Sequence, residues 1–152
     1  MLRFTLLVHT VEQGPQWRFR RESTSIASGS EHLDWLFETE PSVNAANEDE
    51  VRSLLTWATD AVEGEPLGLK RTIEAIQLPP HRHLYLDFEG DIDGDRGHVR
   101  QAASGEYRSV QRSEDLFEAE LFPHSGEVRE LPTIKIAFHR NENHWRLEID
   151  PL

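Results

Sequence analysis

The chain has 152 residues, contains no cysteine and carries a formal net charge of −12 at pH 7. Disulfide and thiolate chemistry are therefore excluded, and the negative charge disfavours extended contact with nucleic acid, whose backbone is bound mainly through Lys and Arg. With 37% hydrophobic and 29% charged residues, the composition is typical of a folded protein, and we expect one domain over residues 1–152. No apolar run approaches the roughly 20 residues of a membrane span, and Met1–Val8 enters polar sequence at once, so we expect a cytoplasmic protein.

The N-terminal part of the chain contains the patterns of three short elements. Leu2–Thr10 is apolar on both alternating faces, which is typical of a central strand. Gln16–Glu22 is predicted to pair with it as a hairpin across the turn at Gly14-Pro15. Leu33–Glu38 is short and apolar, and its pattern fits a strand or a helical turn.

The segment Asn44–Val62 is predicted to be an α-helix inserted between strands. Asn47 is a suitable N-cap, and acidic residues follow it in the first turn, where the helix dipole favours anions. Gly64 and Pro66 provide the stop signals. Apolar residues recur at the spacing of one helical face, namely Val51, Leu54, Leu55, Ala58 and Val62. This pattern indicates a packing element.

The densest chemistry lies in Pro79–Gly90, which follows a predicted strand at Arg71–Leu78. If this segment is also a strand, alternate side chains share a face. The two faces are then Leu84, Leu86 and Phe88 on the core side, and His81, His83, Tyr85, Asp87 and Glu89 on the other. The polar face is either the solvated side of a half-buried strand or a polar site in or at the mouth of a small barrel.

The C-terminal half is predicted to consist of hairpins and one further strand. They are the hairpin Gly97–Ala103 and Glu106–Arg112 through Ser104-Gly105, the strand Leu116–Phe122, and the hairpin Leu131–His139 and His144–Ile149. About eight short strands with turn signals indicate a mainly β fold: a compact antiparallel β-barrel, or a sandwich, with one inserted α-helix.

Two features with residue types that bind metals are interpreted as structural. The histidines His32, His98, His124, His139 and His144 show no spacing typical of a structural metal site, so we expect them on the surface or at strand edges. The loop Asp91–Gly97 has the Asp-x-Asp-x-Asp spacing of a calcium loop. It lacks the glycine at the sixth position and the glutamate at the twelfth, where Ala102 stands, and is typical of a solvated turn.

Three motifs carry a resemblance to a known family. They are His81…Tyr85…Phe88-Glu89-Gly90, Gly97-x-Val99 and Ser104-Gly105-Glu106-Tyr107. Their order resembles the 3′-phosphoesterase domain of bacterial DNA ligase D and, more closely, the short free-standing proteins of that family. The N-terminal part is similar as well. Phe4–His9 matches a first strand ending in His, and residues 16–20 stand where the family has His-aromatic-Asp-Phe-Arg.

The resemblance implies a compact β-barrel that removes phosphates and ribonucleotides from DNA 3′ ends with a divalent metal such as Mn²⁺. His9 matches a metal-binding histidine of the family. Gln16 and Arg18 stand where the family has its other metal-binding histidine and its aspartate. The residues that match the family's phosphate-holding and chemistry-assisting positions are Arg20, His81 and Tyr85.

These matches predict a degenerate member of the family. An Arg in place of Asp replaces a ligand with a repelling cation, so we expect the metal to be lost and no cofactor to be bound. The residues Arg18, Arg20, His81 and Tyr85 then form a cationic pocket for an anion. The expected function is a non-catalytic barrel that binds a phosphate-bearing ligand or a protein partner, such as a DNA-repair protein, and no membrane.

Two alternatives stay open. One is a divergent but active 3′-phosphoesterase that acts on DNA 3′ ends with Mn²⁺ and with general acid–base help from His81. The other is an unrelated barrel whose matches to the family's residues arose by chance.

Overall fold

The computed structural model describes residues 1–10, 31–39, 50–62, 66–92, 97–124 and 133–151. Within these ranges the chain forms nine β-strands and one 3₁₀ turn. The strands are β1 (Leu2–Thr10), β2 (Glu31–Phe37), β3 (Arg52–Asp60), β4 (Arg71–Arg82), β5 (Gly90–Asp91), β6 (His98–Arg112), β7 (Leu116–Pro123), β8 (Ile134–Asn141) and β9 (His144–Pro151), and the 3₁₀ turn is His83–Leu86.

Eight of these strands close into an antiparallel barrel. Strands β1 to β4 form one meander, and strands β6 to β9 form a second. Pairing of β4 with β9 and of β1 with β6 joins the two meanders on both sides. The two-residue strand β5 pairs only with the start of β6. The predicted mainly β, antiparallel barrel of about eight strands is therefore confirmed.

The barrel interior is filled with aromatic side chains. The Trp57 ring stacks on Phe138 with centroids 4.2 Å apart and planes 11° apart, and Phe117 stacks on it at 5.4 Å. Phe37 meets the same group edge-on. Offset and edge-on contacts of this kind are the favourable arrangements of aromatic rings, so the interior is a packed core and not a channel.

The outer face of β1 to β3 is buried as well. The segment that follows β4 folds back over these strands, and Leu86 at its centre is fully buried against Leu7 and Leu36. The Thr5 hydroxyl donates a hydrogen bond of 2.8 Å to the Leu86 carbonyl. Strands β1 to β3 thus have an apolar inner face and a second, covered outer face.

The predicted helix at 44–62 is wrong over the residues that the structure describes. Residues 52–60 form strand β3, and residues 44–49 lie outside the described ranges. Because Leu55 and Trp57 face the interior while Leu54 and Ala58 face the covered outer side, the strand is apolar on both faces and its period of two is hidden. The described part of the chain includes no helix with the length and apolarity needed to span a bilayer.

Two other predicted turns and strands differ from the structure. β6 is one strand of 15 residues, so Ser104-Gly105 is not a hairpin turn. Gly105 is needed because a Cβ there would lie 2.3 Å from the Phe122 carbonyl oxygen of β7. The strand predicted over 81–89 is interrupted by the 3₁₀ turn. Of the two options for Leu33–Glu38, the strand is confirmed, whereas the predicted strand Gln16–Glu22 lies outside the described residues.

Candidate functional site

Three buried side chains that suit a divalent metal lie together on the outer face of β1 and β2. His9 belongs to β1, and His32 and Asp34 belong to β2. Residues two apart on a strand share a face, and the strand register pairs His9 with His32, so the three side chains lie side by side. Their exposed fractions are only 4%, 3% and 3%. We call them the His–Asp cluster.

The donor atoms of the cluster lie within 4.8 Å of one another, close enough to be ligands of one ion. Nδ1 of His9 is 3.4 Å from one carboxylate oxygen of Asp34, and Nε2 of His32 is 3.1 Å from the other. Ligand atoms held about 2.1 Å from a metal are about 3.0 Å apart in an octahedron and about 3.4 Å apart in a tetrahedron. Two imidazoles with one carboxylate suit a transition metal such as Zn²⁺, Fe²⁺ or Mn²⁺.

Electrostatics keep the carboxyl of the cluster ionised. Burial by itself raises the pKa of Asp34. The charge and hydrogen bond of His32, the hydrogen bond of His9 and the charge of His81 outweigh this effect and hold the pKa well below its usual range. The site therefore presents a buried carboxylate anion flanked by imidazoles, which is the form that coordinates a cation.

A small pocket joins the cluster to a second group of polar side chains. Its volume is about 140 Å³, below the roughly 300–1,000 Å³ of ordinary small-molecule sites, so it accommodates a group of about the size of a small polyatomic ion. Its polar lining consists of His9, Asp34, Arg52, His81, Arg82 and Tyr85.

The cationic part of the pocket comes from the start of β3 and the end of β4. Arg52 and Arg82 are direct partners in the β3–β4 register. Three residues after Arg82, the 3₁₀ turn brings Tyr85 back beneath it, because side chains three apart in a 3₁₀ turn lie above one another. The Arg82 guanidinium donates a 3.1 Å hydrogen bond to the Tyr85 hydroxyl and lies 5.4 Å from the ring centroid. Its other contact is Glu50, at 3.2 Å.

His81 stands between the cationic group and the cluster. Its Nδ1 lies 3.0 Å from the Pro79 carbonyl oxygen, which only accepts hydrogen bonds, so Nδ1 carries a proton. Its ring centroid is 6.1 Å from that of Tyr85, and its charge also acts on Asp34. His81 therefore links the two parts of the pocket, because its ring lies near Tyr85 and its charge acts on Asp34.

The structure brings together three of the side chains that sequence reasoning selected. His9, His81 and Tyr85 line one pocket although they are far apart along the chain. The remaining selected residues, Gln16, Arg18 and Arg20, lie outside the described residues.

Four residues of the His–Asp cluster and the pocket, namely His32, Asp34, Arg52 and Arg82, were missed by sequence reasoning. The prediction that His32 lies on the surface or at an edge without metal-ligand spacing is wrong, because it is buried in the His–Asp cluster. The available signal was His32-x-Asp34, a spacing that places both side chains on one face once β2 is a strand. Arg52 was hidden by the predicted helix. Arg82 was not assigned to either face of the segment Pro79–Gly90.

The polar face predicted for residues 81–89 is likewise only partly correct. His81 and Tyr85 reach the pocket, but His83 turns to Glu38 at 3.0 Å and Asp87 pairs with Arg3 at the surface. A 3₁₀ turn has three residues per turn, so side chains two apart no longer share a direction.

Comparison with known proteins adds no name to this site. No family model matches the chain, and no curated protein matches it significantly.

Proposed function

We propose that this chain is a metal-dependent phosphoesterase that acts on a terminal phosphate, and that its substrate class is the 3′ end of DNA. One observation carries the proposal: His9 and Asp34 of the buried His–Asp cluster line the same pocket of about 140 Å³ as two arginines, and His32 lies directly behind them in the cluster. A phosphate needs a cation on one side and forked N–H donors on the other. The resemblance to the ligase D 3′-phosphoesterase family supplies the DNA 3′ end.

The chain's own residues divide into a metal-holding group and a phosphate-holding group. His9, His32 and Asp34 would hold the ion, which would supply Lewis-acid stabilisation of the phosphoryl oxygens and activation of a water. Arg52 and Arg82 neutralise the remaining phosphate charge through guanidinium N–H groups. The arginines do this next to a buried carboxylate, so they also limit the repulsion between Asp34 and an incoming anion.

Tyr85 and His81 handle protons. Because Arg82 already donates to the Tyr85 oxygen, the Tyr85 hydroxyl proton is available to a phosphate oxygen. His81 has Nδ1 directed at the Pro79 carbonyl, so Nε2 is the nitrogen that holds or gives up a proton on the pocket side. In these roles His81 is a general acid that protonates the leaving oxygen, and Tyr85 is a hydrogen-bond donor that orients the phosphate.

The size of the pocket and the charge of the chain support a terminal phosphate over an internal one. A pocket of this volume accommodates a phosphoryl group but not the nucleotides on both sides of it. The net charge of −12 disfavours long contacts with a DNA backbone. Recognition is therefore concentrated on the end of the strand.

The expectation of metal loss depended on Gln16 and Arg18 occupying two ligand positions. His32 and Asp34 offer that same pair of ligand types beside His9, and this supports an intact metal site. The non-catalytic binding barrel then becomes a distinct outcome of the experiment, in which metal and phosphate bind without turnover.

The test is a primer assay with the purified chain. A DNA primer with a 3′-phosphate end, annealed to a template, is incubated with Mn²⁺, Zn²⁺ or Mg²⁺, and release of phosphate is measured. We expect turnover with at least one transition metal, abolished by Asp34→Asn and by His32→Gln. His139→Gln, an exposed histidine on β8, is the matched control and retains activity.

Two results would overturn the proposal. The first is no turnover with any of the three metals. The second is turnover that survives Asp34→Asn at the wild-type rate, which would place the reaction elsewhere.

A further inference from the structure

The two halves of the pocket come from different parts of the chain. His9 and Asp34 lie on the barrel wall, whereas His81, Arg82 and Tyr85 belong to the end of β4 and the 3₁₀ turn that follows it. We call residues 81–88 the covering segment. The backbone positions of Arg52 and Arg82 are set by the β3–β4 pairing, whereas the position of Tyr85, to which the Arg82 guanidinium donates, depends on how the covering segment docks on the wall.

A buried pair of side chains adds a directional contact to that docking. Nε2 of His83 lies 3.0 Å from Oε2 of Glu38, and the exposed fractions of these side chains are 11% and 5%. The His83 backbone N–H donates to the Val51 carbonyl at 2.8 Å. The Leu86 side chain adds apolar contacts, which do not fix direction. The Leu86 carbonyl accepts hydrogen bonds from the Thr5 hydroxyl at 2.8 Å and from the Gln101 amide at 3.0 Å. His83 therefore orients the start of the segment, and these hydrogen bonds hold its end.

Glu38 is itself held rigidly to the wall. Its second carboxylate oxygen accepts a hydrogen bond of 3.3 Å from the Arg3 backbone N–H, and its own N–H donates to the Arg3 carbonyl at 2.9 Å. The Tyr107 hydroxyl donates to the Glu38 carbonyl. Glu38 follows Asp34 by four residues on the same outward face, so one rigid stretch of chain holds a metal ligand at one end and the His83 partner at the other.

We propose that Glu38 and His83 are a positioning pair that sets the phosphate-binding side chains against the metal-binding cluster. The pair touches neither ion nor phosphate. It acts through the covering segment, and its assignment to catalysis rests on the proposed function. A buried carboxylate that loses its partner is left unpaired at a large penalty, so the pair also resists sliding of the segment.

The contact between Arg3 and Asp87 provides a matched comparison. It also joins β1 to the stretch 81–88, but its side chains are 41% and 72% exposed. An exposed ion pair contributes little to stability and fixes geometry weakly. If every contact that docks the segment sets the geometry of the pocket, substitutions at either contact should lower the affinity for phosphate. If the buried pair sets it, only substitutions at Glu38 and His83 should do so.

The test compares His83→Leu, His83→Gln, Glu38→Gln and Asp87→Asn with the wild type. Two affinities are measured by calorimetry, for Mn²⁺ and for inorganic phosphate added to the Mn²⁺-loaded protein. We expect His83→Leu to keep its Mn²⁺ affinity within about threefold and to lose at least tenfold in phosphate affinity. His83→Gln, whose amide still donates to Glu38, recovers most of that loss, and Asp87→Asn matches the wild type.

A second measurement does not depend on ligand binding or turnover. Hydrogen exchange of the backbone amides of Asp87 and Phe88, which bond to the Leu84 carbonyl, is compared between variants. We expect at least tenfold faster exchange in His83→Leu, with β1 and β2 unchanged. Should His83→Leu fail to fold, Glu38→Gln keeps the volume of the side chain and gives the same pattern in weaker form.

The outcomes separate this proposal from the proposed function. Wild-type protein without turnover, combined with faster exchange in His83→Leu, removes the enzyme but keeps the positioning pair. Equal exchange and equal phosphate affinity in His83→Leu and the wild type overturn the pair, whatever the activity. A parallel loss of Mn²⁺ and phosphate affinity also overturns it, because the pair would then act on the whole wall.

Discussion

The two faces of β1, β2 and β3 differ in what they bury. Inward-facing residues such as Trp35, Phe37 and Trp57 form the aromatic interior. Outward-facing residues of the same strands, including His9, Asp34 and Glu38, are equally buried but titratable. Burying apolar rings stabilises a fold, whereas burying charged groups is expensive unless each has a partner. The inner face thus serves stability, and the outer face holds groups that stability alone does not require.

The largest expected effect is on the interior. Trp57→Ala removes a ring that stacks on both Phe117 and Phe138, and the resulting cavity should lower the free energy of unfolding by about 3–5 kcal/mol. Denaturant unfolding measures this. Val110→Ala, an exposed apolar residue on β6, is the control and should change stability by less than about 0.5 kcal/mol. A small loss in Trp57→Ala would show that the interior is not the stabilising side.

Gly105 tests the wall where β6 meets β7. An alanine methyl group would lie 2.3 Å from the Phe122 carbonyl oxygen, so the two strands would have to separate. We expect Gly105→Ala to lower the free energy of unfolding by about 3 kcal/mol, with Ser104→Ala nearly neutral. The same unfolding experiment decides, and equal stability of the two variants would contradict the close approach.

Tyr107 connects the two faces, because its ring lies in the interior and its hydroxyl reaches the Glu38 carbonyl. Burial, and then the Glu38 charge, raise the pKa of Tyr107 to about 12 against a lowering by Arg112. The unfolded chain loses this proton near pH 10, so its contribution is complete below pH 10 and is lost as the pH rises towards 12. We expect a loss of roughly 2–3 kcal/mol over that range.

Tyr107→Phe is the check on that slope. Stability measured by denaturant unfolding at several alkaline pH values should fall less steeply in the variant than in the wild type. Identical slopes would mean that Tyr107 ionises as easily in the folded protein as in the unfolded chain.

The smallest expected effect concerns the outer pocket. Arg82→Gln should weaken binding of inorganic phosphate about tenfold, equivalent to about 1.4 kcal/mol, because one of two guanidinium groups is removed. Stability should change little, since Arg82 is partly exposed. Arg146→Gln, an exposed arginine on β9, is the matched control. Equal phosphate affinity in both variants would place the anion elsewhere.

Strands with one clear pattern could be predicted from the sequence. β1, β7 and the β8–β9 hairpin agree with prediction within a few residues, because alternation and turn residues act locally. β3 could not be recognised. Its outer face is covered by a segment more than twenty residues away, so its apolar residues imitate a helical face. The pattern of apolar residues in one strand does not show which other segment packs against it.

The site could be predicted only in part for the same reason. His9, His81 and Tyr85 were selected through a resemblance, not through geometry. His32 and Asp34 lie beside His9 only because β1 and β2 are neighbours in a given register, whereas the sequence predicts a hairpin of β1 with residues 16–22. Arg52 and Arg82 meet through the β3–β4 register, which the predicted helix concealed.

The most direct test of the central claim is a titration of the purified chain with Mn²⁺ and Zn²⁺ by calorimetry. If the outer face of β1 and β2 is a metal site, the wild type binds one ion, Asp34→Asn and His32→Gln lose at least a hundredfold in affinity, and His139→Gln binds as the wild type does. Absence of binding in the wild type, or unchanged affinity in Asp34→Asn, would contradict it.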